Sequence, residues 1–107
     1  MTRIALYGGS FNPPHLGHVQ VVSYVLSTSD VDAVWLVPTF QHAFGKSLAP
    51  FDERLEMCRL ALTPFAPERA RVSDIERTMG GESRTIDTVE TLMAADPDAR
   101  FDLVIGA

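Results

Sequence analysis

Four apolar runs alternate with three segments of helical period along this chain, and that alternation leaves few folds open. Residues 3–7 (RIALY), 33–37 (AVWLV) and 101–105 (FDLVI) are short and strongly apolar. A weaker run lies at 71–74, with Ile75 as its last apolar residue. Between the runs, Val19, Val22, Val25 and Leu26 recur at helical spacing, as do Leu55, Cys58 and Leu62, then Ile86, Val89 and Met93. Asp52 is placed to cap the second helix, and Ser83 or Thr85 the third. The run at 33–37 contains no polar residue, which predicts a strand buried on both faces, as in a parallel sheet. Crossovers of this length form right-handed βαβ units. The expected fold is therefore α/β: a Rossmann-like parallel sheet with helices on both faces. The last run reaches the final residues, where an open α/β sheet carries its working loops, so the sheet is expected to be incomplete at the C-terminus.

Bulk properties narrow the setting. A chain of 107 residues has room for one small domain. No run of about 18 apolar residues exists to span a membrane, and the start, MTRIALYGG, lacks the form of a signal peptide. The single cysteine, Cys58, has no internal disulfide partner. It lies in an apolar-periodic segment, which suits packing in a reducing cytoplasm better than nucleophilic work. A net charge of −5 argues against nucleic-acid binding, yet a local cluster of donors can still hold a small anion.

The chemistry concentrates in residues 7–18, YGGSFNPPHLGH, between the first strand and the first helix. Gly8 and Gly9 there would allow close backbone approach and dihedrals closed to other residues. Backbone amides before a helix N-terminus form a phosphate cradle. The pattern is neither the dinucleotide G-x-G-x-x-G nor a P-loop. His15 and His18, at i and i+3, project on one side of the helix start. Their imidazoles can donate to phosphate oxygens or, as cations, offset charge developing there. Gly17 between them leaves room for a ligand against the backbone. An ordinary turn with two helix-start histidines is the plainer alternative.

Gly8-Gly9-Ser10-Phe11-Asn12-Pro13-Pro14-His15-Leu16-Gly17-His18 resembles the signature of the nucleotidyltransferase superfamily with an H-x-G-H motif. The wording is most similar to bacterial nicotinate mononucleotide adenylyltransferases. Ser10 and Asn12 set it apart from the threonine–aspartate version usual in pantetheine-phosphate adenylyltransferases. Gln41-His42-Ala43-Phe44-Gly45-Lys46 resembles the family's P-P-H-K loop, loosened by an Ala-Phe-Gly insertion. Asp52-Glu53-Arg54-Leu55-Glu56-Met57 is similar to its R-x-x-M helix. Ser83-Arg84-Thr85-Ile86-Asp87-Thr88 is similar to S-Y-T-x-D-T, with Arg84 in the aromatic position. The final FDLVIGA resembles the strand entering I-G-x-D.

The resemblance implies a nucleotidyltransferase fold of the adenine nucleotide alpha hydrolase-like type, with residues 1–107 as the N-terminal portion of a single domain. It implies adenylyl transfer from ATP to nicotinate mononucleotide, giving nicotinate adenine dinucleotide and pyrophosphate in NAD biosynthesis. His15 and His18 would be catalytic. Gly8, Gly9, Ser10, Phe11, Gly17, Lys46 and Gly106 would hold ATP or phosphate. His42, Arg54, Arg84 and Thr85 would serve the mononucleotide, Arg54 by ordering the substrate loop. Mg²⁺ would arrive on ATP, since no protein carboxylate cluster is evident. A sister enzyme with another acceptor, a nucleotide-binding remnant without turnover, and a homo-oligomer formed through an open sheet edge are the competing readings.

Overall fold

The computed structural model describes residues 2–40, 48–79 and 85–104. The chain runs β1 (Thr2–Gly9), α1 (Leu16–Thr28), β2 (Ala33–Pro38), α2 (Phe51–Ala61), β3 (Ala70–Val72), α3 (Ile75–Met79), α4 (Thr85–Ala95) and β4 (Ala99–Leu103). The four strands form one parallel sheet in the order β3-β2-β1-β4. This is the expected Rossmann-like α/β fold.

Alternation along β1 shows why the sheet is covered twice. Ala5 joins a cluster with Val22 of α1, Val34 and Leu36 of β2, and Cys58 of α2. Its neighbours Ile4 and Leu6 point the other way, into a second cluster with Val37, Leu92 of α4 and Ala99. Successive strand residues face opposite sides, so helices α1 and α2 pack on one face and α3 and α4 on the other. The valines of α1 each cost up to about 0.7 kcal/mol of helix propensity. Complete burial of Val22 contributes roughly 1.5–3 kcal/mol, so packing outweighs propensity and the helix forms.

Cys58 is fully buried within the first cluster, where burial pushes its thiol up to about 11. It is a packing residue and stays protonated at neutral pH. No helix among the described residues is long and apolar enough to cross a membrane.

Three local expectations need correction. Helix α2 starts at Phe51 after Pro50, with no side-chain cap; Asp52 lies inside the first turn, where its charge still favours the helix N-terminus. Ile75 opens a separate five-residue helix, α3, rather than closing the third strand. On α4 the buried positions are Thr88 and Leu92, whereas Ile86 and Met93 are each 52% exposed. The stripe was rotated because Thr88, whose hydroxyl has a partner inside, does not read as apolar.

The chain order places the site. Strands β1, β2 and β3 step in one direction, and the return through α3 and α4 then sets β4 on the opposite side of β1. The strand order reverses between β1 and β4, and ligands of open α/β sheets bind beyond the carboxyl ends of strands at such a switch point. Gly8 and Gly9 end β1 there.

Candidate active site

His15 is the N-cap of α1. Its Nδ1 accepts the Gly17 backbone N–H at 3.0 Å, and the Nδ1 of His18 accepts the His15 N–H at 2.9 Å. This is the reciprocal capping arrangement usually made by Ser or Thr with Glu, built here from two imidazoles. The rings stack with centroids 3.9 Å apart. His18 also packs against Phe11 at 4.9 Å and Tyr7 at 6.0 Å. Burial, and then the neighbouring His15, lower the His18 pKa from its ordinary 6.5.

Phe11 supports this arrangement from beneath. Its backbone lies in the left-handed region with φ 46°, a strained conformation for a bulky residue. Its ring packs edge-on to Tyr7 at 5.5 Å. At 2% exposure of the whole residue, Phe11 offers a phosphate neither ring nor backbone surface, which corrects its expected place among the phosphate contacts.

The glycines behave differently from the sequence expectation. Gly8 and Gly9 are extended residues of β1, and neither has the left-handed backbone closed to other residues. What they supply is space. A Cβ on Gly8 would meet only the Val37 carbonyl, at 3.9 Å, and one on Gly9 would touch the Phe11 ring at 3.5 Å. At Gly17 a Cβ would stand 2.7 Å from Cε1 of His15 and 3.0 Å from its Nδ1. That glycine makes room for the imidazole itself.

A cleft of about 370 Å³ opens on the other side of the glycines, bordered by Gly8, Gly9, Thr39, Glu76, Thr85 and Thr88. Its floor is Leu6 and Val37, members of the second core cluster, whereas the histidines sit over Tyr7 and Phe11 beside the first. Gly9 borders the cleft and also faces the Phe11 ring on which His18 packs. Thr85 opens α4 at the rim, and Thr88 one turn on donates its hydroxyl to Oε2 of Glu76 at 2.9 Å. Glu76, Thr88 and Thr39 were not among the expected site residues. Thr88 was within reach, since it stands three residues from Thr85 on the same helical face; Glu76 was hidden in the unforeseen α3.

Arg54 has no surface to offer a ligand, being 1% exposed. Its Nε donates to the Ala49 carbonyl at 2.7 Å, and its Nη1 to the carbonyls of Thr39 at 2.6 Å and Ser10 at 3.0 Å. Its Nη2 reaches the Phe40 carbonyl at 3.4 Å. This corrects the expectation of a substrate-binding side chain to the extent of direct contact. The guanidinium ties together the segments that follow β1 and β2 and the one that precedes α2. Asn12 adds a second tie, accepting the Ala49 N–H at 2.9 Å, and Thr39 N–H donates to the Gly9 carbonyl at 2.9 Å. Ser10 contributes its carbonyl to the Arg54 clamp. His42, Lys46, Arg84 and Gly106 lie outside the described residues, as does Ser83.

Comparison with known proteins agrees with the fold. Residues 6–107 match the cytidylyltransferase-like family. The chain is 47% identical over 105 residues to a probable nicotinate-nucleotide adenylyltransferase of Myxococcus xanthus (strain DK1622), covering 98% of this chain and 55% of that protein. It is 49% identical over 108 residues to one from Anaeromyxobacter dehalogenans (strain 2CP-1), covering 98% and 57%. The chain thus spans little more than half the length of these curated relatives. The solved structure of Plasmodium falciparum nicotinic acid mononucleotide adenylyltransferase complexed with NaAD superposes with a TM-score of 0.84 over 99% of this chain and 52% of that one. At 23% identity, that likeness speaks for the fold. Since one family accounts for all but the first five residues, and the glycine-and-histidine turn sits at the switch point of its sheet, the chain belongs to the cytidylyltransferase-like family.

Proposed function

We propose that this protein transfers the adenylyl group of ATP to nicotinate mononucleotide, giving nicotinate adenine dinucleotide and pyrophosphate in the cytoplasmic synthesis of NAD. The observation that carries the reading is the cleft bordered by Gly8, Gly9, Thr39 and Thr85, together with the two capping imidazoles that follow the same glycines on the chain. Joining two nucleotides requires two adjoining sites with a shared anion cradle between them. The names of the relatives at 47% and 49% identity favour nicotinate mononucleotide as acceptor. We read residues 1–107 as the N-terminal portion of a single nucleotidyltransferase domain, with further site residues supplied by the remainder.

An oxygen of the mononucleotide 5′-phosphate attacks the α-phosphorus of ATP in line. The bond from that phosphorus to the bridging oxygen breaks, and the electron pair leaves with pyrophosphate. The protein forms no covalent bond, so its contribution is positioning and charge stabilisation. The mononucleotide occupies the cleft, where the first-turn amides of α4 at Thr85 suit a carboxylate. His15 and His18 face the ATP phosphates and Gly8 to Ser10 present backbone; Lys46 is assigned to the ATP phosphates and His42 to the mononucleotide on the resemblance alone, both lying outside the described residues. Arg84 is assigned to the nicotinate carboxylate and Gly106 to ATP or phosphate on the same ground, and both also lie outside the described residues. Among the described residues no three His, Cys, Asp or Glu side chains converge as a metal site. Mg²⁺ would arrive bound to ATP and offset the charge on its phosphates.

The test is pyrophosphate release from ATP with nicotinate mononucleotide, nicotinamide mononucleotide or 4′-phosphopantetheine offered in turn. The expected result is preferential turnover with nicotinate mononucleotide. Faster release with phosphopantetheine would reassign the acceptor, and nucleotide binding without release from any acceptor would leave a binding protein in its place. A second prediction concerns Gly8→Val. The added Cβ meets no atom closer than ordinary contact, and valine suits a strand, so the melting temperature is expected to hold. The branched side chain enters the cleft, and the mononucleotide KM is expected to rise about tenfold or more, a loss of about 1.4 kcal/mol. An unchanged KM would show that the acceptor binds elsewhere.

A further inference from the structure

We infer that Glu76 recognises the ribose hydroxyls of the acceptor mononucleotide, and that Thr88 is the positioning residue that aims its carboxylate. The inference rests on the reading proposed above, which places the mononucleotide in the cleft.

Among the described residues lining the cleft, Glu76 alone has an ionisable side chain. The other polar side chains there are the hydroxyls of Thr39, Thr85 and Thr88. Glu76 is half-buried, and Thr88, 6% exposed, donates its hydroxyl to Oε2 at 2.9 Å. A hydroxyl has one hydrogen, and here it is committed to Glu76. Both groups therefore turn acceptors toward a ligand, so this part of the wall selects for donors. A carboxylate offers about four acceptor sites, enough to hold Thr88 and a ligand hydroxyl together.

Nicotinate mononucleotide has few donors to offer. Its ring carries a carboxylate and a nitrogen without hydrogen, and its phosphate is anionic. The 2′- and 3′-hydroxyls of the ribose remain, and a carboxylate meeting a ribose hydroxyl is a recurrent solution in the nucleotide sites of α/β sheets. The start of α4 has the opposite character, because first-turn amides at Thr85 present donors. Thr85 and Thr88 stand about 4.5 Å apart along the helix axis, so donors and acceptors lie at neighbouring places in the cleft, as the ring and sugar of one mononucleotide require. Helix α3 holds the carboxylate in place while burying none of its own residues completely. Arg77 bonds Asp52 of α2 and lies over the Phe51 ring at 5.2 Å, and Glu76 meets Thr88 of α4. Successive residues thus anchor α3 to two different helices, and the acceptor is positioned before a ligand arrives.

The experiment is calorimetric titration with nicotinate mononucleotide and with its 2′,3′-dideoxy analogue, for the native protein, Glu76→Gln, Thr88→Val and Thr88→Ser. The native protein is expected to bind the parent compound about tenfold or more tightly than the analogue. Glutamine keeps an oxygen for Thr88 but puts a donor amide in place of the second acceptor. In Glu76→Gln the preference is expected to fall to about threefold or less, with the loss confined to the parent compound. Thr88→Val is expected to shrink the preference too, and Thr88→Ser, which keeps the hydroxyl, to restore it. An equal loss for both compounds in Glu76→Gln would mean that the residue shapes the cleft without meeting the diol. An unchanged preference would place the diol elsewhere, and either result overturns the inference. If nicotinate mononucleotide does not bind at all, the inference falls together with the acceptor's place in the cleft. If the preference follows Glu76 but no pyrophosphate is released, the proposed reaction fails and the recognition stands.

Discussion

His18→Ala is expected to lower the turnover of adenylyl transfer by about 10²–10³-fold, the range found when one preorganised donor to a developing oxyanion is removed. The fold should survive. The substitution deletes the acceptor for the His15 N–H and one ring from the stack on Phe11 and Tyr7, a loss of about 1 kcal/mol on the scale of helix caps. The KM for ATP is expected to change far less than kcat, because the donor matters most as charge moves to the leaving group. The acid side of the stability curve gives a second readout. His18 has its folded pKa below the ordinary 6.5, so the unfolded chain binds its proton more readily. Stability from this source is complete above the unfolded value and is lost as pH falls through the folded one. The gap in melting temperature between the native protein and His18→Ala should therefore narrow as pH is lowered through that window. Near-normal turnover in the variant would remove His18 from the catalytic set, and a gap that widens on acidification would contradict the burial of a neutral ring.

The parts of this architecture legible in the sequence are those written in apolar periodicity. Residues 33–37 pass through the sheet centre and bury on both faces, so every residue reports the strand. The turn at residues 7–18 was legible as a site because Gly, Pro and His crowd where a strand must become a helix. What stayed hidden was set by polar atoms finding partners inside. Thr88 faces inward because its hydroxyl reaches Glu76 across two helices, and nothing at the sequence level pairs those positions. Helix α3 is five residues long, too short for periodicity to register. The glycines show the converse: they marked the right place for a reason the structure replaces, with the left-handed backbone belonging to Phe11 and not to Gly8 or Gly9. Arg54 was visible only by resemblance. A single arginine in an amphipathic helix resembles any exposed one until the carbonyls from three separate segments are seen around it.

Those carbonyls make Arg54→Met the substitution with the largest expected effect on stability. The guanidinium is 1% exposed and bonded to the carbonyls of Ser10, Thr39, Phe40 and Ala49. Burial pulls its pKa below the ordinary guanidinium value, but guanidinium remains charged across the working range. Its charge is met here by carbonyl dipoles, so removing it leaves acceptors without donors rather than a carboxylate without a partner. Methionine keeps the volume and apolar stem, which isolates the hydrogen-bond loss from a cavity. Stranding several buried carbonyls is expected to cost about 3–5 kcal/mol, a large share of the roughly 5–15 kcal/mol that holds a domain together. Arg54→Lys should recover part of the loss, because an ammonium keeps the charge but cannot span acceptors arrayed around a planar fork. Urea unfolding of the three proteins measures the order directly: native above lysine, lysine above methionine. Function should follow the same order in kcat, because Ser10 and Thr39 border the glycine cradle that the guanidinium holds in place. A methionine variant that loses less than about 1 kcal/mol would mean that water or backbone adjustment satisfies those carbonyls, and that the loops around the cradle hold their positions without Arg54.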